Sequence, residues 1–425
     1  MAFNLQADTG ANNAWLFHQN VCLLTDIKDN WSPGADKACE ITLIAGTKRP
    51  DTRPTLPPSS MPSYLAKKID AGTPSGKPFV TTSDFHYPRI SYGSGKSKLV
   101  VGPMRSPIDF EISTAYNWLG SGSDKKDRLK ACFSFAICDA ATADVFGNLP
   151  VDGSIGFGPE VNMNVFDPPY RHEQDYGSSN YPSFSAALEA SLPNVDGEGG
   201  IILYWYLNPP SRDFHNGPGF LAFNEFPEHL LRQKISWTAP ILIASPPPSR
   251  PSYRAWVITI KKLKIHLIAD KEYKERRGYE DQELLIDFGN DGEKFCVHTG
   301  YSTTTFPPEA FFALESVFDT CGRPYSVPEW VNLKASTVEY TFVSGSRSAQ
   351  EIVFVTQAHH FVWDKDGQGL IWSSSRDESK NLIRCILGQN FFHSAVVAMH
   401  RPGPGVGEPY FRLAPMVGRV IAATH

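Results

Sequence analysis

One short arrangement occurs twice in this chain, far apart. An apolar run leads into Asp8-Thr9-Gly10, and much later another leads into His298-Thr299-Gly300; each half also carries an apolar segment closing on glycine, at Ser154-Ile155-Gly156 and at Ile386-Leu387-Gly388. A duplication of this kind points to two related halves, each supplying one turn and one glycine segment. The 425 residues are enough for two lobes with separate apolar cores, or for one large sheet-rich body. No tandem repeat appears at the ~20–50-residue periods of solenoids.

Between these motifs the chain reads as strands. Runs rich in β-branched and aromatic residues recur at Lys98–Val101, Ala131–Phe135, Ile201–Leu207, Trp256–Ile260 and Glu351–Val355, each bounded by Gly, Pro, Asn or Ser. Aromatic residues make up 12% and charged residues only 20%, and the 33 Gly and 34 Pro suit many tight turns. The fold class is all-β. Helical periodicity is confined to Phe184–Leu192, Pro227–Gln233 and Pro307–Phe318, the last opened by a proline pair suited to a first turn. Two polar segments dense in Pro, Ser and Gly, Thr47–Ser83 and Asn162–Asn180, read as surface loops, and Ser245–Pro251 as a short semi-rigid connection.

Charge and composition exclude several partners. With a net charge of −5 and no Lys/Arg-rich stripe, the chain offers no electrostatic grip on a phosphate backbone, so no nucleic acid is expected. No run reaches the ~18 apolar residues of a membrane span, so no membrane is expected, and Met1–Leu5 has neither the basic nor the apolar region of a secretory signal. The expected location is cytoplasmic, or secreted if the N-terminus is truncated. The seven cysteines lack CxxC or Cys/His ligand spacing, and an odd number cannot all pair. Reduced thiols are the reading, with Cys132–Cys138 as the one bridge an oxidising compartment would form. His359-His360 lie on opposite faces of any strand and have no ligand-spaced partner, so no metal is implied and no cofactor.

Taken together, the ordered motifs resemble the pepsin-type aspartic protease family over nearly the whole chain. Ala7–Leu16, with Trp15 seven residues past Asp8, resembles that family's first active-site loop. Ile90-Ser91-Tyr92-Gly93-Ser94-Gly95 resembles its flap hairpin, and Val151–Gly158 the segment threading beneath the first loop. Gly219–Phe223, Tyr253–Ile258, Val297–Ser302 with Phe306–Phe311, and Ile386–Phe391 follow in the family's order. The resemblance implies a bilobal fold with a central cleft, residues 1–205 forming an N-terminal lobe with the Asp-Thr-Gly loop and flap, and 206–425 a C-terminal lobe. It implies further that Asp8 and the residue at 298 meet across the seam, that Thr9 and Thr299 support them, and that Trp15, Tyr92, Gly93, Ser94, Gly10, Gly300 and Tyr301 line the ligand site.

The chemistry departs from that family where the scaffold does not. Two facing aspartates share a proton and hold a water, because like charges at close range separate their proton affinities. His298 breaks this symmetry: an imidazole beside a carboxylate favours an ion pair, and the ring intrudes on the water's place. The hydroxyl residue that the family carries after each motif glycine is replaced by Ala11 and Tyr301. Only seven residues precede Asp8, so the family's pro-segment and opening strands are reduced or the chain is truncated.

Each residue also has a plainer reading. Asp8 is a cleft base or anchor, or a relic held by its own turn. His298 is a general acid/base suited to neutral pH, or a tolerated loss. Tyr301 donates a phenolic hydrogen bond to the ligand or fills volume, Trp15 and Tyr92 brace one another or simply pack, and His172, His393, Cys296 and Cys385 are ordinary surface or core residues. Two functions follow: a non-proteolytic enzyme using Asp8 and His298 on a small molecule, through cyclisation, isomerisation or hydrolysis; or a pseudoprotease that grips a peptide or protein. Residual peptidase activity is a third. The chain is expected to be a monomer.

Overall fold

In the computed structural model the described residues are 5–28, 39–44, 76–83, 89–92, 97–101, 108–112, 129–133, 135–143, 145, 152–159, 182–192, 200–207, 219–228, 234–244, 255–301, 303–317, 329–332, 334–344, 350–358, 371–373, 385–403 and 406–416. Most of them lie in strands, and the described helices are short. The chain is mostly β, as the alternating runs and turn-rich composition require. It divides into two compact units, the described residues up to Ser191 forming one and those from Leu192 onward the other.

The first unit is built on a sheet ordered Leu5–Asp8, Gly153–Gly156, Ala14–Lys28, Ala136–Thr142, Ser97–Val101 and Arg89–Tyr92. Cys39–Ile44 joins it through Ala14–Lys28 and pairs in turn with Pro78–Ser83. That last strand corrects the loop reading of Thr47–Ser83: its Val80-Thr81-Thr82 centre has the β-branched residues that a pleated surface favours. The rest of that segment, with Asn162–Asn180 and Ser245–Pro251, lies outside the described residues. Trp15, Phe17, Val21, Ala136, Cys138, Ala141 and Val145 pack as one buried cluster on this sheet. Helix α1, Phe184–Ser191, buries Phe184 and Leu188 one turn apart. The Phe184 ring meets Phe133 and Phe157 edge-on at 4.7 and 5.2 Å.

Among the described residues, two sheets build the second unit. One is ordered Phe220–Phe223, Gly200–Tyr206, Ala395–Pro402, Tyr410–Pro415 and Ile241–Leu242. The boundary expected after residue 205 falls after Ser191, because Gly200–Tyr206 pairs on both sides with strands of this unit. Its residues alternate, Ile201, Leu203 and Trp205 buried against the half-exposed Ile202 and Tyr204. The other sheet runs Gln350–Gln357, Thr337–Ser344, Val257–Leu267, Glu293–Val297, Cys385–Leu387, Thr304–Phe306 and Ile371–Ser373, with Gln282–Asp287 also paired to Val257–Leu267.

Val257–Leu267 extends the apolar run at 256–260 because the inward positions continue beyond it. Ile258, Ile260, Leu263, Ile265 and Leu267 are buried, and a bulge between Ile260 and Lys262 restores the alternation after two successive lysines. Outward-facing Lys261, Lys262, Lys264 and His266 sit against Glu351, Asp287 and Glu283 on neighbouring strands.

Helix α2, Lys271–Arg277, buries nothing, which is why no apolar period announces it. Its ends do: Asp270 accepts the Glu272 amide, and Gly278 closes it at φ 68°. Helix α3 spans Pro308–Val317, inside the segment that periodicity selected, and helix α4 is the short Gln389–Phe392. Of the expected helix at Pro227–Gln233, residues 229–233 lie outside the described set. Among the described residues no helix is long and apolar enough to cross a membrane. Of the described cysteines, Cys132 is exposed and Cys22, Cys138, Cys296 and Cys385 are buried.

Candidate functional site

Asp8 ends the strand Leu5–Asp8, which lies parallel to Gly153–Gly156 in the register Asp8↔Gly156. The chain then turns, and the turn is closed by its own aspartate: the Gly10 amide donates to Asp8 Oδ1 at 2.8 Å. Asp8 and Thr9 are buried, at 2% and 0% exposure. Backbone bonds tie the turn to the glycine segment, Phe157 N to Asp8 O at 2.7 Å, Gly158 N to Ala11 O at 2.8 Å and Gly156 N to Asn13 O at 2.9 Å. Gly156 has no space for a side chain, since a Cβ would stand 2.5 Å from the Ala11 carbonyl oxygen.

The second unit repeats this construction around His298. Glu293–Val297 lies parallel to Cys385–Leu387 in the register Val297↔Leu387, and the next amide, His298 N, donates to Leu387 O at 2.9 Å. The Gly300 amide donates to His298 Nδ1 at 3.0 Å, the same bond at the same spacing as in the first turn. Gly388 is as confined as Gly156: its Cβ would stand 2.7 Å from the Tyr301 carbonyl oxygen and 2.1 Å from that of Thr303.

In both units a third strand returns along the other side of the glycine segment. Gly153–Gly156 runs antiparallel to Ala14–Lys28 with Ser154 opposite Trp15, and Cys385–Leu387 runs antiparallel to Thr304–Phe306 with Ile386 opposite Thr305. Each glycine segment is thus a central strand, parallel to the strand before its turn and antiparallel to the strand after it. Such a strand cannot leave without breaking both ladders, so the turn it supports is held in one geometry.

Side chains also brace the second turn. Thr304 Oγ1 donates to Asn390 Oδ1 at 2.7 Å and accepts the Gly388 amide at 3.3 Å, while Thr305 Oγ1 accepts the Ile386 amide at 3.0 Å. Gln389 donates from Nε2 to Thr299 O at 2.8 Å and from its backbone to Tyr301 O at 2.7 Å. Thr304 and Thr305 belong to no motif read from sequence; the signal present was the run Thr303-Thr304-Thr305, whose hydroxyls suit a crowded turn. In the first unit Asn12 is 5% exposed, and its Oδ1 fills the place a Cβ on Gly158 would need.

The structure places the other site residues as follows. Trp15 is 1% exposed and meets Phe17 edge-on at 4.8 Å inside the first core. Thr299 is 4% exposed, and the half-exposed Tyr301 ring centroid lies 6.1 Å from that of His298. Tyr92 ends the strand Arg89–Tyr92, antiparallel to Ser97–Val101 with Tyr92 opposite Ser97. Gly93, Ser94, His172 and His359-His360 lie outside the described residues. His393 Nδ1 sits 3.1 Å from Leu207 O, an ordinary structural contact. Among the described residues no group of three or more His, Cys, Asp or Glu side chains is arranged to hold a metal. No protein-family model matches the chain, and no curated protein matches it.

Proposed function

We propose that the chain is a pepsin-type scaffold repurposed as a non-proteolytic enzyme, with Asp8 and His298 serving as an acid/base pair on a small molecule. One observation carries the reading. The two turns have the same build, down to the glycine amide that grips the side chain two residues earlier, yet one presents a carboxylate and the other an imidazole. Retained confinement with exchanged chemistry is the pattern of a reused site, because the confining glycines and central strands would otherwise be free to drift.

The imidazole argues against peptide hydrolysis by the family's route. That route needs a proton shared between two carboxylates and a water between them, and His298 supplies neither the second carboxylate nor its space. Ala11 and Tyr301 add to this, since neither brings an aliphatic hydroxyl to the turn. The exchange to an imidazole suits instead a cyclisation, isomerisation or hydrolysis of a non-peptide substrate.

The test is turnover of candidate biosynthetic intermediates by the purified protein, by Asp8→Ala and by His298→Ala. Loss in both variants supports the reading, and unchanged turnover in both defeats it. The second reading, a pseudoprotease gripping a peptide or protein, is favoured by the intact confinement alone, which needs no chemistry. It is separated by a pull-down that weakens on replacing Tyr92 and not on replacing His298. A casein assay from acid to neutral pH, with a statine-type inhibitor as control, removes or revives peptidase activity.

A further inference from the structure

The bond between Gly300 and His298 decides more than the shape of a turn. A backbone amide can only donate, so the ring nitrogen facing it must present a lone pair. Nδ1 of His298 faces the Gly300 amide at 3.0 Å. We infer that Gly300 acts as a positioning residue that fixes His298 in the Nε2–H tautomer, so that His298 meets its ligand as a hydrogen-bond donor to an oxygen acceptor of the carbonyl class and not as a base.

The reasoning follows from the three ring states available. A neutral ring protonated at Nδ1 would set N–H against N–H at 3.0 Å, and so would the imidazolium. Only the neutral ring protonated at Nε2 keeps the bond. The surroundings hold the arrangement rigidly: the His298 amide is bound to Leu387 O at 2.9 Å, its carbonyl accepts the Tyr301 amide at 3.3 Å, and Thr299 O accepts Gln389 Nε2 at 2.8 Å. The turn therefore cannot swing its amide away to suit another protonation state without breaking several bonds at once.

The first unit supplies the contrast. Asp8 accepts the Gly10 amide through Oδ1, which leaves its other oxygen as a further acceptor. The same backbone device thus makes a carboxylate end in an acceptor and an imidazole end in a donor. Where two carboxylates would offer interchangeable roles, these two groups have fixed ones. Resting on the function proposed above, this gives Nε2–H of His298 the polarisation of a substrate carbonyl oxygen. A neutral imidazole that donates in this way stabilises charge as it develops on oxygen.

The test uses the ligand-free, full-length protein labelled with 15N, so its failure is distinct from a failure to find turnover. The His298 ring resonances are assigned by their loss in His298→Gln. The expected spectrum at neutral pH shows Nδ1 in the unprotonated range and Nε2 in the protonated range, with a coupling across the hydrogen bond between the Gly300 amide nitrogen and Nδ1. Nδ1 in the protonated range, whether as the other tautomer or as the cation, overturns the inference. Gly300→Pro removes the amide proton and should abolish the preference; a spectrum unchanged by it would also overturn the positioning role. If that variant fails to fold, the coupling in the unaltered protein decides alone.

Discussion

The Gly300 amide donates a 3.0 Å hydrogen bond to Nδ1 of His298, and this bond reproduces in the second unit what Gly10 does for Asp8 at 2.8 Å in the first. The chemical consequence differs because the acceptors differ. A carboxylate has lone pairs on both oxygens, while a neutral imidazole that accepts at one nitrogen must donate at the other. One conserved piece of backbone geometry, met by two side chains, yields one acceptor and one donor.

Asp8→Ala should destabilise the protein and Asp8→Asn much less. Alanine leaves the Gly10 amide without its acceptor beside a residue that is 2% exposed, at a cost of about 1–3 kcal/mol. Asparagine retains an oxygen at the same place. Urea unfolding of the two variants checks the order, and equal midpoints would contradict it.

Gly156→Ala and Gly388→Ala should each cost on the order of 2 kcal/mol or more, because the added methyl meets backbone that cannot step aside. Gly278→Ala is the control. Nothing lies within 4 Å of its Cβ position, so it incurs only the left-handed backbone penalty at φ 68°, about 1 kcal/mol. Denaturant midpoints should rank the first two well below the third.

Thr304→Val keeps the side-chain shape and removes the hydroxyl that links Asn390 to the Gly388 amide. Thr304 is fully buried, so both partners lose a bond where water cannot replace it, and the loss should be about 1–3 kcal/mol. Thr305→Val loses the bond from the Ile386 amide and should destabilise as well. Thermal unfolding of both variants measures the two losses.

Acid sensitivity has a traceable contributor on the second unit. The Lys274 ammonium, 2.8 Å from Asp281, and then the Ala269 amide at 2.7 Å hold the Asp281 carboxyl below its ordinary value of 3.8. A lowered folded value means that the stabilisation is fully present above the unfolded value and fades as pH falls through the folded one. Asp281→Asn should therefore narrow its stability difference from the unaltered protein as pH drops below about 4. A difference constant from neutral pH to below that point would show that the carboxylate charge contributes nothing.

Much of the architecture was legible in the sequence because strands are written in local alternation. Ser97–Val101, Gly200–Tyr206 and Gln350–Gln357 lie where β-branched and aromatic runs placed them, and helices Phe184–Ser191 and Pro308–Val317 fall within their periodic segments. The misses share a cause. Lys271–Arg277 buries no face and Pro78–Ser83 sits in a Pro- and Ser-rich stretch, so neither carries the apolar period that such reading depends on. The site was half legible: the repeated X-Thr-Gly turns stood out, while Thr304 and Thr305 did not, because hydroxyl side chains look alike in sequence whether they face water or hold a buried strand.

By itself the sequence determined the strands, the two turns and the residue that each turn presents, since these follow from contacts between near neighbours in the chain. Tertiary structure decided which distant strand enters beside each turn. Ser154 bonds to the Gln6 carbonyl across a separation of 148 residues, and no local rule encodes that pairing. It also decided the direction in which His298 offers its proton, because a histidine's donor and acceptor nitrogens are chosen by the group that faces them in space.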